Sequence, residues 1–159
     1  MNTKMLFYGW NRLPLKAYDD LSTFKLYALD IGLLRQLSEL DASVLLLSTP
    51  GYTEYKGALA ENYVLQSLTA QLQASFRYWT SGNKAEVDFL LQHGNHIYPV
   101  EVKADQNITG KSLIQYEKLY QPACRIRYSM LNLKQDGNLI NIPLFLADKT
   151  KELLNNNVG

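Results

Sequence analysis

Cysteine is nearly missing from this chain: Cys124 stands alone among 159 residues, so no internal disulfide can form and a reducing, cytoplasmic setting is expected. A single thiol of this kind is read as a small core residue. Histidine is almost as scarce. His93 and His96 are the only two, they flank Gly94-Asn95, and without a third nitrogen or thiol ligand they read as solvated turn residues rather than a zinc centre. No apolar run approaches the ~18 residues of a membrane span, and no basic segment precedes an apolar one at the start, so neither a span nor a signal peptide is expected. The phosphate-binding pattern GxxxxGK followed by Ser or Thr occurs nowhere, so no ATP site is expected in this chain. A charge surplus is lacking too: 16 Lys and Arg against 15 Asp and Glu leave +1, which excludes polyanion binding by bulk electrostatics.

What is present suits a soluble globular domain. The hydrophobic share is 47% and the charged share 19%, and the length supports a core without staples. Charge is uneven along the chain. From Glu101 to Lys134 there are Lys103, Lys111, Lys118, Arg125, Arg127 and Lys134 against Glu101, Asp105 and Glu117, a balance that suits a phosphate-facing patch or an ordinary solvated face. No repeat or low-complexity segment is present.

Residues 1–22 lack clear periodicity and read as a linker or the remnant of an upstream region, residues 23–150 as the domain, and 151–159 as a frayed tail. Phe24 to Tyr27 suggests a brief strand, with Asp30 placed to cap a short helix through Leu37. A second short helix is expected after Asp41, through Val44 to Leu47, and Ser48-Thr49-Pro50-Gly51 is a break. The longest helical pattern runs from about Thr53 to Gln73, with Leu65, Leu68 and Leu72 as its apolar stripe. Glu61 lies four residues before Leu65, in line with that stripe, while Asn62, Gln66, Thr69 and Gln73 mark the wet face. A carboxylate in that position requires a partner such as a cation, or reaches water at the stripe's edge. Phe76 to Thr80 reads as a strand, Lys111 to Gln121 as a helix stopped by Pro122, and Arg125 to Leu131 and Leu139 to Ile142 as strands. Arg77, Tyr78 and Trp79 have the chemistry to stack nucleobases, although alternating strand aromatics are more often core. The sequon-like Asn107-Ile108-Thr109 is a chance match.

The centre of interest is a hairpin. EVDFLL and YPVEVK read as strands joined by the turn QHGNH. Side chains alternate along a strand, so Glu101 and Lys103 share one face while Tyr98, Val100 and Val102 take the other, which suits a core. Two carboxylates, Asp88 and Glu101, with a lysine and no adjacent histidine suggest a hard-cation phosphate site, since Mg²⁺ is held by one or two carboxylates with water and substrate phosphate. The plain alternative is a same-face Glu101–Lys103 ion pair on an edge strand, worth ~0–1 kcal/mol.

The ordering of a helix Glu, a strand Asp and a strand Glu-x-Lys resembles the PD-(D/E)XK nuclease superfamily, with Glu61, Asp88, Glu101 and Lys103 in the motif positions. The blocks FKLYALDIGLL, KGALAENYVLQSL, FRYWTSGNKAEVDFLL and IYPVEVKA, within about Leu13 to Leu146, resemble the C-terminal domain of unknown function of a prokaryotic AAA-type ATPase family. The resemblance implies an α/β, restriction-endonuclease-like fold with a mixed central sheet flanked by helices. It implies Mg²⁺ or Mn²⁺ held by Asp88 and Glu101, with Glu61 direct or through water and the Val102 carbonyl as a further ligand. Lys103 would then orient the attacking water, with Gln115 a marginal substrate contact. The implied activity is metal-dependent cleavage of DNA, with the family's ATPase region as partner. The alternatives are a catalytically inactive module of the same fold that binds nucleic acid or protein, and a structural oligomerisation domain.

Overall fold

The computed structural model describes residues 3–39, 50–72, 74–82, 84–105 and 108–157. The chain opens with β1 (Thr3–Gly9), a short 3-10 segment (Leu15–Tyr18) and β2 (Asp19–Ala28). Helices α1 (Ile31–Leu37) and α2 (Pro50–Gln71) follow. Next come β3 (Phe76–Thr80), β4 (Glu86–His93), β5 (His96–Val102) and α3 (Lys111–Tyr120). The chain closes with β6 (Arg125–Ser129), β7 (Lys134–Asp136), β8 (Leu139–Pro143), a 3-10 segment (Leu144–Lys149) and α4 (Thr150–Asn157).

All eight described strands form one sheet in the order β2-β1-β3-β4-β5-β6-β8-β7. It is mixed: β5, β6 and β8 run parallel, while the pairs β1–β2, β3–β4, β4–β5 and β7–β8 are antiparallel. Helices cover both faces. Val64, Leu65 and Leu68 of α2 pack with Phe89, Leu91, Val100 and Val102 on one side. Leu113 and Tyr116 of α3 pack with Trp79, Val87 and Leu90 on the other. The expected α/β class with a mixed, helix-flanked sheet is therefore what the chain forms.

Local signals explain several boundaries. The Asp30 carboxylate accepts from the Leu33 amide at 2.8 Å and caps α1. Pro50 and Gly51 open α2 instead of breaking the chain, as proline's fixed φ allows in a first turn. Gln121 adopts φ 46° and ends α3 one residue before Pro122. Gly94, at φ 58°, supplies the left-handed residue of the β4–β5 turn.

Other expectations need correction. The stretch before residue 22 contributes β1, and the boundary placed there falls inside β2. The tail is helical through Asn157 because Leu154 is buried in the core. Asn62, expected on the wet face of α2, is 2% exposed. Arg77, Tyr78 and Trp79 are all buried, with Arg77 bound to Asp19, so they cannot stack on a nucleobase without unpacking the core. The helix expected after Asp41, together with Gln73 and Asn107, lies outside the described residues.

Candidate functional site

The site grows from the place where β4 and β5 part. Their register runs from His93↔His96 to Phe89↔Val100. One step further, the Val102 amide donates to the Asp88 carboxylate at 2.7 Å, so a side chain takes over where backbone pairing ends. On the other edge of β4 the register slips: Arg77 faces Leu90, but Trp79 faces Val87. Asp88 and Phe89 therefore share the single opposing residue Tyr78, a bulge of the kind that re-aims a side chain. Phe89 packs into the α2-side core and touches Tyr27 at 5.7 Å between ring centroids.

Around Asp88 the charges are close and poorly solvated. Burial, followed by the negative charge of Glu61, pushes the Asp88 carboxyl up to about 8. The Val102 hydrogen bond and Lys25 oppose this rise, while Glu101 adds to it. Glu61 projects from α2 and accepts a hydrogen bond from the Tyr27 hydroxyl at 3.1 Å. Burial raises its carboxyl, with Lys25 and the Tyr27 hydroxyl pulling the other way. Tyr27 is itself driven far up, by burial first and then by the Glu61 and Asp88 charges. Lys25 and Glu86 form an ion pair at the edge of this group.

Glu101 occupies the opposite side of β5. Val100 and Val102 face α2, whereas Glu101 Oε2 lies against Gly110, where an added Cβ would meet it at 3.0 Å. Glu101 is 2% exposed, and Oε2 has no hydrogen-bond partner among the described residues. Oε1 lies 3.1 Å from Lys103 Nζ, whose side chain is 33% exposed. The pair is not on an edge strand, because β5 lies between β4 and β6. In register beside Glu101 stand Arg127 and then Asn141. Arg127 donates to Asn141 at 3.0 Å and to the Ile108 carbonyl at 3.2 Å. Lys103 borders an open cavity of about 330 Å³ that also meets Thr53 and Gly57 of α2.

The structure thus joins Glu61 to Asp88, and Glu101 to Lys103, with Asp88 near the plane of the sheet between them. Asp88 and Glu101 provide the hard oxygen donors that Mg²⁺ takes, and Glu101 Oε2 is a buried acceptor without a donor among the described residues. Among the described residues no three Asp, Glu, His or Cys side chains converge as a ligand group. A cation here would rest on two carboxylates, with oxygen from backbone or water. Val102, whose carbonyl is an expected ligand, uses its amide to orient Asp88. Gln115 lies half-buried on α3. His93 and His96 pair across the turn, and Cys124 is a buried core thiol.

Sequence reasoning overlooked Lys25, Tyr27, Gly110, Arg127 and Asn141. They join the site through strand pairing or chain crossing, and only the surplus of cations after Glu101 hinted at Arg127.

Residues 56–145 match the family described as "Domain of unknown function (DUF4143)". The chain belongs to the DUF4143 family. The matched segment holds Glu61, Asp88, Glu101, Lys103, Arg127 and Asn141, while β1, β2 and α4 of this DUF4143 protein lie outside it. No curated protein and no solved structure matches the chain. No described helix is long and apolar enough to cross a membrane.

Proposed function

We propose that this chain is a metal-dependent, phosphodiester-cleaving domain of the restriction-endonuclease-like type, acting on DNA as the effector end of an ATPase-family protein. The observation that carries the reading is Glu101 Oε2, a buried carboxylate oxygen with no hydrogen-bond partner among the described residues, beside Lys103 and next to Asp88 on the neighbouring strand. A buried anion left half-satisfied is costly, and a cation relieves it. The Val102 amide holds the Asp88 carboxylate in one orientation. Lys103, partly exposed at its cavity, presents a compact charge to a scissile phosphate and to the attacking water. Mg²⁺ or Mn²⁺, when bound, supplies charge neutralisation and a more acidic water. Glu61 holds its place against Tyr27 and contributes through water.

A second reading, a catalytically inactive module that binds nucleic acid or protein, is favoured by one observation: no three ligand-type side chains converge among the described residues. Titration calorimetry with Mn²⁺ separates the two. The first reading predicts one site per chain, weakened at least ten-fold in Glu101→Gln and in Asp88→Asn. Equal binding by all three proteins, or none by the wild type, would sink it.

A further inference from the structure

A cavity lies at the far end of β4 and α2 from the carboxylate site. It is open, has a volume of about 630 Å³, and sits where the end of α2, the β4–β5 turn, the first 3-10 segment and the start of α4 meet. Its charged lining is entirely cationic or imidazole: Lys16, Lys151 and His93, with no Asp or Glu among the described lining residues. Ser75, Gln71 and Gln92 complete the polar lining, although the Gln71 amide already donates to the Ser67 and Ala147 carbonyls.

Two of these residues also fix the lysine-bearing segments. Gln92 Oε1 accepts from the Leu15 amide at 3.0 Å, which pins the turn carrying Lys16 to β4. Gln71 Oε1 accepts from the Lys151 amide at 3.1 Å, and its Nε2 donates to the Ala147 carbonyl at 2.6 Å, which pins the start of α4 to α2. Lys16 and Lys151, from opposite ends of the sequence, are thus brought to one cavity by glutamines of that same cavity. Both side chains are exposed, and neither forms an ion pair among the described residues.

The cavity is separate from the carboxylate site. From Asp88 to His93 is five steps of β4, about 17 Å at ~3.4 Å per residue. From Glu61 to Gln71 is ten steps of α2, about 15 Å at 1.5 Å per residue. Two lysines on one cavity, with the Gln92 amide and the Ser75 hydroxyl as donors and no acid among the described lining residues, select a ligand that carries oxyanions. We propose that this cavity binds phosphate groups, either successive phosphates of a nucleic-acid strand or those of a free phosphate ligand. The proposal does not depend on the cleavage reading and is tested without metal.

The test is fluorescence anisotropy with a labelled single-stranded DNA 12-mer in EDTA, and calorimetry with pyrophosphate. Both are run on the wild type, Lys16→Glu/Lys151→Glu, Lys16→Ala/Lys151→Ala and a Lys118→Glu control on exposed α3, with circular dichroism to check folding. The expected result is at least a ten-fold loss in the charge-reversed protein, a smaller loss in the alanine protein and less than a two-fold change in the control. For the oligonucleotide, the log–log salt slope of the alanine protein should fall by about 1.4, since each single-strand phosphate contact contributes about 0.7. Loss of oligonucleotide binding with no pyrophosphate binding assigns the site to a strand. Pyrophosphate binding that disappears in the variants assigns it to a free phosphate ligand. Wild-type binding of neither probe, or equal binding by wild type and both double variants, overturns the proposal.

Discussion

Replacing Asp88 with Asn should make the protein more stable, by an amount that grows with pH. The native carboxyl is pushed from 3.8 to about 8, mainly by burial and then by Glu61. In the unfolded chain it titrates near its ordinary value, so between roughly pH 4 and 8 the native state holds a proton that the unfolded state has lost. Stability therefore falls as pH rises through that window. The contribution is fully present below the unfolded value and gone above about pH 8. At ~1.36 kcal/mol per unit the full swing is on the order of 5 kcal/mol, and about 3 kcal/mol is expected at pH 7 once the Asn amide bears its own burial. The Asn oxygen can still accept from the Val102 amide, so the local hydrogen bond survives. Urea unfolding in EDTA from pH 5 to 8.5 measures this directly. The two proteins should converge at pH 5 and diverge steadily above it. Parallel curves, or a variant less stable at pH 8, would refute the claim that Asp88 is buried at an electrostatic disadvantage.

Three further substitutions probe the frame around the site. Gly57→Ala in α2 should add about 0.5–1 kcal/mol, because glycine weakens a helix interior and the new Cβ meets nothing within 4 Å; a loss in urea unfolding would contradict the open groove at Gly57. Gly110→Ala sets a Cβ at 3.0 Å from Glu101 Oε2, so a destabilisation of about 1 kcal/mol and a several-fold drop in Mn²⁺ affinity are expected by unfolding and calorimetry. Asp19→Ala strips the carboxylate from Arg77, which is 7% exposed and bonded to it at 2.8 Å through Nη2; thermal or urea unfolding should register a loss of about 3 kcal/mol.

Much of this arrangement was legible because it follows simple periods. Phe76 to Thr80 forms a strand with the expected bounds, and period-two alternation placed Glu101 and Lys103 together, opposite Val100 and Val102. Period 3.6 placed Glu61 in line with Leu65, Leu68 and Leu72, and the structure gives it Tyr27 as a partner. The remainder depends on long-range pairing. The bulge that sets Asp88 beside Phe89 belongs to the β3–β4 register, which leaves no mark on the alternation of β4 alone. β1 was invisible because it joins β3 through the single paired position Tyr8↔Tyr78, with β2 beyond it. Asn62 looked solvent-facing because the helical wheel cannot anticipate how fully α2 is covered, and its amide is left without a partner among the described residues. The Glu101–Arg127–Asn141 row exists only once three parallel strands align.

The most direct test of metal-dependent phosphodiester cleavage is a gel assay of labelled single- and double-stranded DNA with the wild type and Lys103→Ala, in Mn²⁺, Mg²⁺ or EDTA. Cleavage should need the divalent ion and fall at least a hundred-fold in Lys103→Ala, with its fold intact. Wild type that binds Mn²⁺ yet leaves both substrates whole, or a Lys103→Ala protein that cuts equally well, would contradict it.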